Sequence, residues 1–175
     1  MRWYWIDRYT EFVRGKRAKA VKNISLAEEH MHDHFENFPV MPHALVVEGV
    51  AQTGGLLVAE YNECREQVVL AKLVKAIFHC EAYPGDTLTY AIEVENLNAN
   101  GASISAKSYK GDQLHGEFEM MFAYLREDMW DKELFSVSEW RHLLQIFRVY
   151  EVGVDENGNP IDEPPCFKAL DAAQQ

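Results

Sequence analysis

The chain has 175 residues, of which 47% are hydrophobic and 26% charged, with a net charge of −11. This length and apolar share fit a single globular core and exclude a disordered chain. The acidic balance argues against nucleic acid as the main partner, and no apolar run reaches the ~18 residues of a membrane span.

The amino terminus, Met1 to Asp7, has neither the apolar core nor the small-residue cleavage site of a signal peptide. Residues 1–22 hold seven basic side chains (Arg2, Arg8, Arg14, Lys16, Arg17, Lys19 and Lys22) against Asp7 and Glu11, a local charge of +5 that leaves −16 for the rest. Two readings stay open: a landing patch for an acidic partner, or a solvated strand–turn–strand surface. Residues 3–12, rich in aromatic and β-branched types, and residues 18–24 predict two strands about a turn at Gly15. Ser25 and Glu28 have the spacing of a capping box and predict a short helical turn, followed by a polar loop from His30 to His34.

Next comes the stretch that dominates the chain. Pro42 suits a first helical position. Ala44, Leu45, Val46, Val47, Val50 and Ala51 follow in a run too apolar for a surface helix, so residues 42–62 predict a buried helix. Glu48 lies inside that run, and a buried carboxylate requires a partner or a purpose. Gly49, Gly54 and Gly55 are poor helix formers, which predicts close approach of another backbone, such as a sheet around the helix. Strands are then predicted over 68–83, 87–96, 102–109 and 114–125, separated by Pro-Gly-Asp, Asn-Ala-Asn-Gly and Lys-Gly-Asp turns. One long helix followed by antiparallel strands is an α+β pattern. Further on, Ser136 and Glu139 form a second capping box, and Trp140, Leu143, Leu144, Phe147 and Val149 give an apolar face to a predicted helix over 137–150. Residues 155–165 read as loop and the last residues as a frayed tail.

The segment from Asp33 to Gln52, D-H-F-E-N-F-P-V-M-P-H-A-L-V-V-E-G-V-A-Q, resembles the FabZ-type 3-hydroxyacyl-[acyl-carrier-protein] dehydratases of the hotdog superfamily. Their pattern is G-H-F-P-G-x-P-(V/I)-M-P-G-(V/I)-L-(I/L)-(I/L)-E-(A/G)-x-A-Q, and the His-to-Glu spacing matches without a gap. I-D-R at 6–8, G-K-R-A-K-A-V-K-N-I-S at 15–25, L-A-K-L-V-K-A-I-F at 70–78 and Y-P-G-D-T-L at 83–88 extend the likeness over residues 3–125. The resemblance implies a hotdog domain over 1–126, with an antiparallel sheet wrapped around one long helix. Residues 127–175 are left as a C-terminal extension with one amphipathic helix. It also implies a homodimer or a trimer of dimers, cytoplasmic, acting in fatty acid synthesis on thioesters of acyl carrier protein or coenzyme A.

Such an enzyme removes water from a 3-hydroxyacyl thioester and needs no metal or organic cofactor. By residue type alone, His34 would be an ordinary loop histidine. By the resemblance it is the base at C2, a task suited to an imidazole near neutral pH, and Glu48 polarises the C3 hydroxyl or its water. The thioester oxygen gains charge as C2 loses its proton and calls for a donor. The backbone N–H of His43, at the start of the helix, is that donor. Phe35, Met41, Pro42 and Gln52 are placed around the substrate, Gln52 chiefly as a residue bonding nearby backbone. Met120 and Met121 are core or acyl-tunnel lining. The sequence departs from the family at Asp33, Glu36, Asn37, Phe38 and His43, which bears on substrate choice more than on reaction type; Asn37 can keep the positive φ of the Gly it replaces. Another hotdog hydratase or thioesterase, or a non-catalytic acyl binder, are the alternatives. His30-x-His32-Asp33-His34 is one residue short of a metallohydrolase ligand run, and Cys64, Cys80 and Cys166 lack metal spacing and read as free thiols in a reducing compartment.

Overall fold

The computed structural model describes residues 3–34, 36–125 and 134–172. Strands β1 (Arg8–Val13) and β2 (Arg17–Asn23) form a hairpin. A one-turn helix α1 (His30–Asp33) and the long helix α2 (His43–Tyr61) follow. Four strands come next: β3 (Gln67–Phe78), β4 (Thr87–Asn98), β5 (Gly101–Lys110) and β6 (Gln113–Leu125). The C-terminal segment adds α3 (Val137–Ile146), α4 (Val149–Val152), the two-residue β7 (Gly153–Val154) and α5 (Pro165–Ala172). The sheet order is β3-β6-β5-β4-β2-β1-β7, antiparallel throughout except for the β1–β7 pair.

The sheet wraps α2, which touches β2, β3, β4, β5 and β6. This is the α+β hotdog architecture, and the glycines of α2 show how close the wrapping is. A Cβ on Gly49 would stand 2.7 Å from the Trp5 carbonyl oxygen and 2.6 Å from the Tyr90 ring; on Gly54 it would stand 2.6 Å from Ile104. Side chains of ordinary size do not fit at those spacings, so the helix accepts the propensity cost of glycine to sit deep in the sheet. Tyr9 Oη donates to the Thr53 carbonyl (2.8 Å), and Thr53 Oγ1 donates to the Gly49 carbonyl (2.7 Å), so these two buried hydroxyls are satisfied.

Several boundaries differ from the sequence reading. Residues 3–7 are not strand, because the ladder with β2 begins at Arg8. Ser25–Glu28 forms a turn, with the Glu28 carboxylate accepting from the Ser25 amide, while the expected loop at His30 coils into α1 around buried Met31. The C-terminal helix begins at its capping box as predicted, with the Ser136 hydroxyl accepting from the Glu139 amide, but ends at Ile146. Arg148 adopts a left-handed conformation there and turns the chain into α4. The loop over 155–165 is preceded by β7, and the tail holds α5 in place of frayed chain. Leu144, Phe147, Val149 and Phe167 join the same hydrophobic cluster as the α2 core, as does Met120; Met121 points outward and is exposed. No helix among the described residues is long and apolar enough to cross a membrane.

Among the described residues, the fully buried carboxylate belongs to Glu60, near the end of α2. Its oxygens accept from Arg14 Nε (3.2 and 3.0 Å) and Arg14 Nη2. The guanidinium pKa is raised, chiefly by this hydrogen bonding. Removing one partner of such a pair strands a buried charge. Arg14→Met is expected to lower stability by about 3 kcal/mol, read as a drop in urea midpoint, and Glu60→Gln in the Arg14→Met background should recover part of it.

Candidate active site

Helix α2 is buried on most of its circumference and open on one face. Glu48, Gln52 and Gly55 lie on that face, at spacings that stack them along the helix. Glu48 is exposed, which corrects the expectation of a buried carboxylate: the apolar run is continuous, but the sheet covers only part of it. Gln52 holds Glu48 in place. Its Nε2 donates to Glu48 Oε1 (3.0 Å) and to the Trp3 carbonyl (2.8 Å), and its Oε1 accepts from the Trp5 amide (2.9 Å). Gln52 therefore bonds backbone groups beside the site, as read from sequence.

Glu48 faces a cleft of about 550 Å³. Ala51, Gln52, Gly55 and Leu56 of α2 form one wall and Val68 to Leu70 of β3 another; Trp3 and Tyr4 flank it. Phe122 of β6 and the C-terminal segment, through Phe135, Trp140, Leu143 and Phe147 among others, complete it. Sequence reasoning missed that contribution. The apolar face of α3 was legible, but nothing local said what it would cover.

At the helix start, Pro42 precedes α2 with an extended ψ of 129°, and the Leu45 and Val46 amides donate to its carbonyl (3.0 and 3.2 Å). Among the described residues, the amides of His43 and Ala44 donate to no acceptor. These are the uncommitted N–H groups that a helix N-terminus offers to a developing anion. The His43 ring turns aside from the cleft. It stacks on Phe78 with centroids 3.8 Å apart and a 3° interplanar angle, and its Nε2 lies 3.1 Å from Glu81 Oε2.

His34 caps the C-terminal end of α1, donating its amide to the His30 carbonyl (3.1 Å), with its side chain exposed. It does not line the cleft that holds Glu48. Asn37 has φ of 63°, so the turn survives the loss of glycine as predicted. Met41 and Pro42 are buried behind the helix start, Met41 donating its amide to the Ala82 carbonyl (2.8 Å). Phe35 lies outside the described residues. His30 packs edge-on against Trp5, and burial lowers its pKa. Among the described residues, no three metal-ligating side chains gather in one place, and Cys64, Cys80 and Cys166 are free thiols.

The basic amino-terminal stretch is largely spent on internal pairs. Arg14 is held by Glu60, Arg17 and Lys19 by Glu11, and Lys22 by Glu28. Among the described residues, Arg8 and Lys16 take no part in an ion pair. Of the described basic side chains in this stretch, Arg8 and Lys16 are thus left outside ion pairs and the other four are paired.

Comparison with known proteins agrees with this fold. A family model for the FabA-like domain matches residues 3–114. The 3-hydroxyacyl-[acyl-carrier-protein] dehydratase FabZ of Clostridioides difficile is 37% identical over 123 residues, covering 70% of this chain and 87% of that protein. The enzyme of the same name from Staphylococcus aureus is 33% identical over 119 residues, covering 67% and 82%. The chain belongs to the FabZ family of FabA-like proteins. Among solved structures, the dehydratase heterocomplex ApeI:P of Xenorhabdus doucetiae aligns with a TM-score of 0.61 at 9% identity, covering 71% of this chain and 85% of that one. A hypothetical thioesterase with coenzyme A from Streptococcus pneumoniae aligns at 0.55 and 8%, covering 67% and 86%. At such identities the likeness concerns the fold alone.

Behind His43 and Phe78, Ser108 Oγ and His115 Nδ1 lie 2.7 Å apart, both side chains fully buried. Burial, reinforced by the nearby His43, lowers the His115 pKa to about 4. The unfolded chain then binds the proton more readily, so stability falls as pH drops from ~6.5 towards ~4 and levels off below. Between pH 7 and 5 this amounts to about 2 kcal/mol. Urea unfolding should show that loss in the wild type and a flatter curve in His115→Asn; parallel curves would place the proton elsewhere.

Proposed function

We propose that the protein removes water from 3-hydroxyacyl thioesters, giving trans-2-enoyl thioesters, as a hydro-lyase of fatty acid synthesis in the cytoplasm. The observation that carries this reading is the position of Glu48: a carboxylate on the one open face of α2, tethered by Gln52, at the edge of an apolar cleft. Family membership supplies the reaction class, and the acyl group is carried as a thioester of acyl carrier protein.

The chemistry divides among the named groups. His34 takes the C2 proton. The thioester oxygen, as it gains charge, is met by the uncommitted amide of His43, aided by the positive end of the α2 dipole. Glu48, directly or through a held water, gives a proton to the C3 hydroxyl; the C3–O bond breaks, water leaves, and the double bond forms between C2 and C3. His43 keeps its role because only its backbone is used.

His34 and Glu48 meet across a dimer in this reading. Strand β3 is an edge of the sheet, and its exposed Leu70, Leu73, Val74 and Ile77 make it a long apolar edge. Such an edge asks to be paired. Pairing β3 with the same strand of a second copy makes one continuous sheet and brings α1 of one protomer towards α2 of the other. Trimers of such dimers would form through other surfaces, since the β3 edge is used up in the pair.

Acid–base groups contribute ~10²–10⁴-fold each. His34→Ala and Glu48→Gln are each expected to lower kcat/KM for enoyl thioester hydration by at least ~10²-fold, with the double variant losing far less than the product. Mixing the two inactive single variants should restore roughly a quarter of wild-type activity, since half the pairs then hold one intact site. A stable monomer in analytical ultracentrifugation, or no recovery on mixing, would overturn the shared site.

A further inference from the structure

We propose that helix α3 of the C-terminal segment is the far wall of the acyl-chain pocket, so that Trp140, Leu143 and Phe147, facing Ala51 and Gly55 of α2, hold the aliphatic tail of the substrate. This rests on Glu48 being the group at the C3 hydroxyl. Glu48 is the member of the cleft-lining stripe nearest the start of α2, and Ala51, Gly55 and Leu56 continue it away from the reacting end. At 1.5 Å rise per residue, Glu48 to Leu56 spans ~12 Å. Beyond Gln52 that length is apolar on the α2 side, and α3 matches it with apolar side chains. A thioester whose C3 lies at Glu48 sends its remaining methylenes along this line.

The wall is built to stay put. At its near end, the Gln67 side chain of β3 donates to the Phe135 carbonyl (2.9 Å) and accepts from the Phe135 amide (2.8 Å). Phe135 stacks on Trp140 at 4.4 Å and 28°. At its far end, the Phe147 carbonyl accepts from the Tyr9 amide of β1 (2.9 Å). Helix α3 thus bridges two strands on either side of the open face of α2. A preformed wall spares a flexible ligand part of the ordering cost on binding. Gly55 sets the floor: a Cβ there would meet Phe122 at 3.4 Å, ordinary contact, so any larger side chain must project into the cleft. The FabA-like match ends at residue 114, so α3 lies outside it. The substrate class that follows is a medium-chain acyl thioester, limited in length by residues outside the catalytic domain match.

The test is the ratio of kcat/KM for octenoyl over butenoyl N-acetylcysteamine thioesters, with binding of the unreactive decanoyl thioester measured by calorimetry. Gly55→Val is expected to lower the ratio at least ~tenfold, the equivalent of excluding two methylene groups. Leu143→Ala should raise the ratio for dodecenoyl over octenoyl. Calorimetry on Gly55→Val, whose fold is checked by its melting curve, should show decanoyl binding weakened at least ~tenfold. If butenoyl thioester is turned over and both ratios and decanoyl binding stay within ~twofold of wild type, α3 is not the wall and the dehydratase reading stands. If no thioester of any length is turned over but decanoyl binding is present and lost in Gly55→Val, the pocket stands and the reaction assigned to Glu48 falls.

Discussion

Everything in this chain follows from how deeply α2 is sunk into its sheet. The spacing between helix and sheet is set at Gly49, where the Trp5 carbonyl and the Tyr90 ring leave no space for a methyl group. A helix held that close loses contact with solvent on all faces but one. The open face is narrow, and the residues on it, Glu48 and Gln52 among them, acquire a fixed relation to whatever enters. Positional accuracy of this kind is what acid–base chemistry demands of its groups.

The same wrapping separates two carboxylates that look alike in sequence. Glu48 and Glu60 stand in one helix, each following a stretch of small and branched apolar residues. Glu60 faces inward and is ion-paired with Arg14; Glu48 faces outward and, among the described residues, has the neutral amide of Gln52 as its side-chain partner. A carboxylate locked to a guanidinium has both oxygens occupied, whereas one held by a single amide N–H keeps an oxygen open to a further hydrogen bond.

Much of this was legible beforehand. The central helix, the antiparallel strands, the capping box at Ser136 and the positive φ at Asn37 all follow from local patterning, because propensity, turn chemistry and burial agree there. What escaped was non-local. Composition could not say which side of α2 the sheet would leave open, so Glu48 looked buried and Glu60 drew no notice. Nor could charge counting reveal that Arg14, Arg17, Lys19 and Lys22 each find an acidic partner on another element of the fold. The apolar stripe of α3 was plain, but its place opposite Glu48 depends on the Gln67–Phe135 and Tyr9–Phe147 contacts, between residues far apart in sequence.

The two margins of the sheet are not equivalent. Along β1 the outward groups are already committed: the Tyr9 amide to Phe147, Phe12 and Val13 to β7, the Arg14 amide to Val154. Along β3 they are not taken up by any strand among the described residues. A ribbon with one margin consumed and one free can be lengthened by its own kind a single time, after which no free margin remains. The C-terminal segment, by closing off β1, therefore acts as a terminator of sheet growth, and leaves a molecule with apolar strand exposed at its edge unable to propagate into a fibre through that sheet.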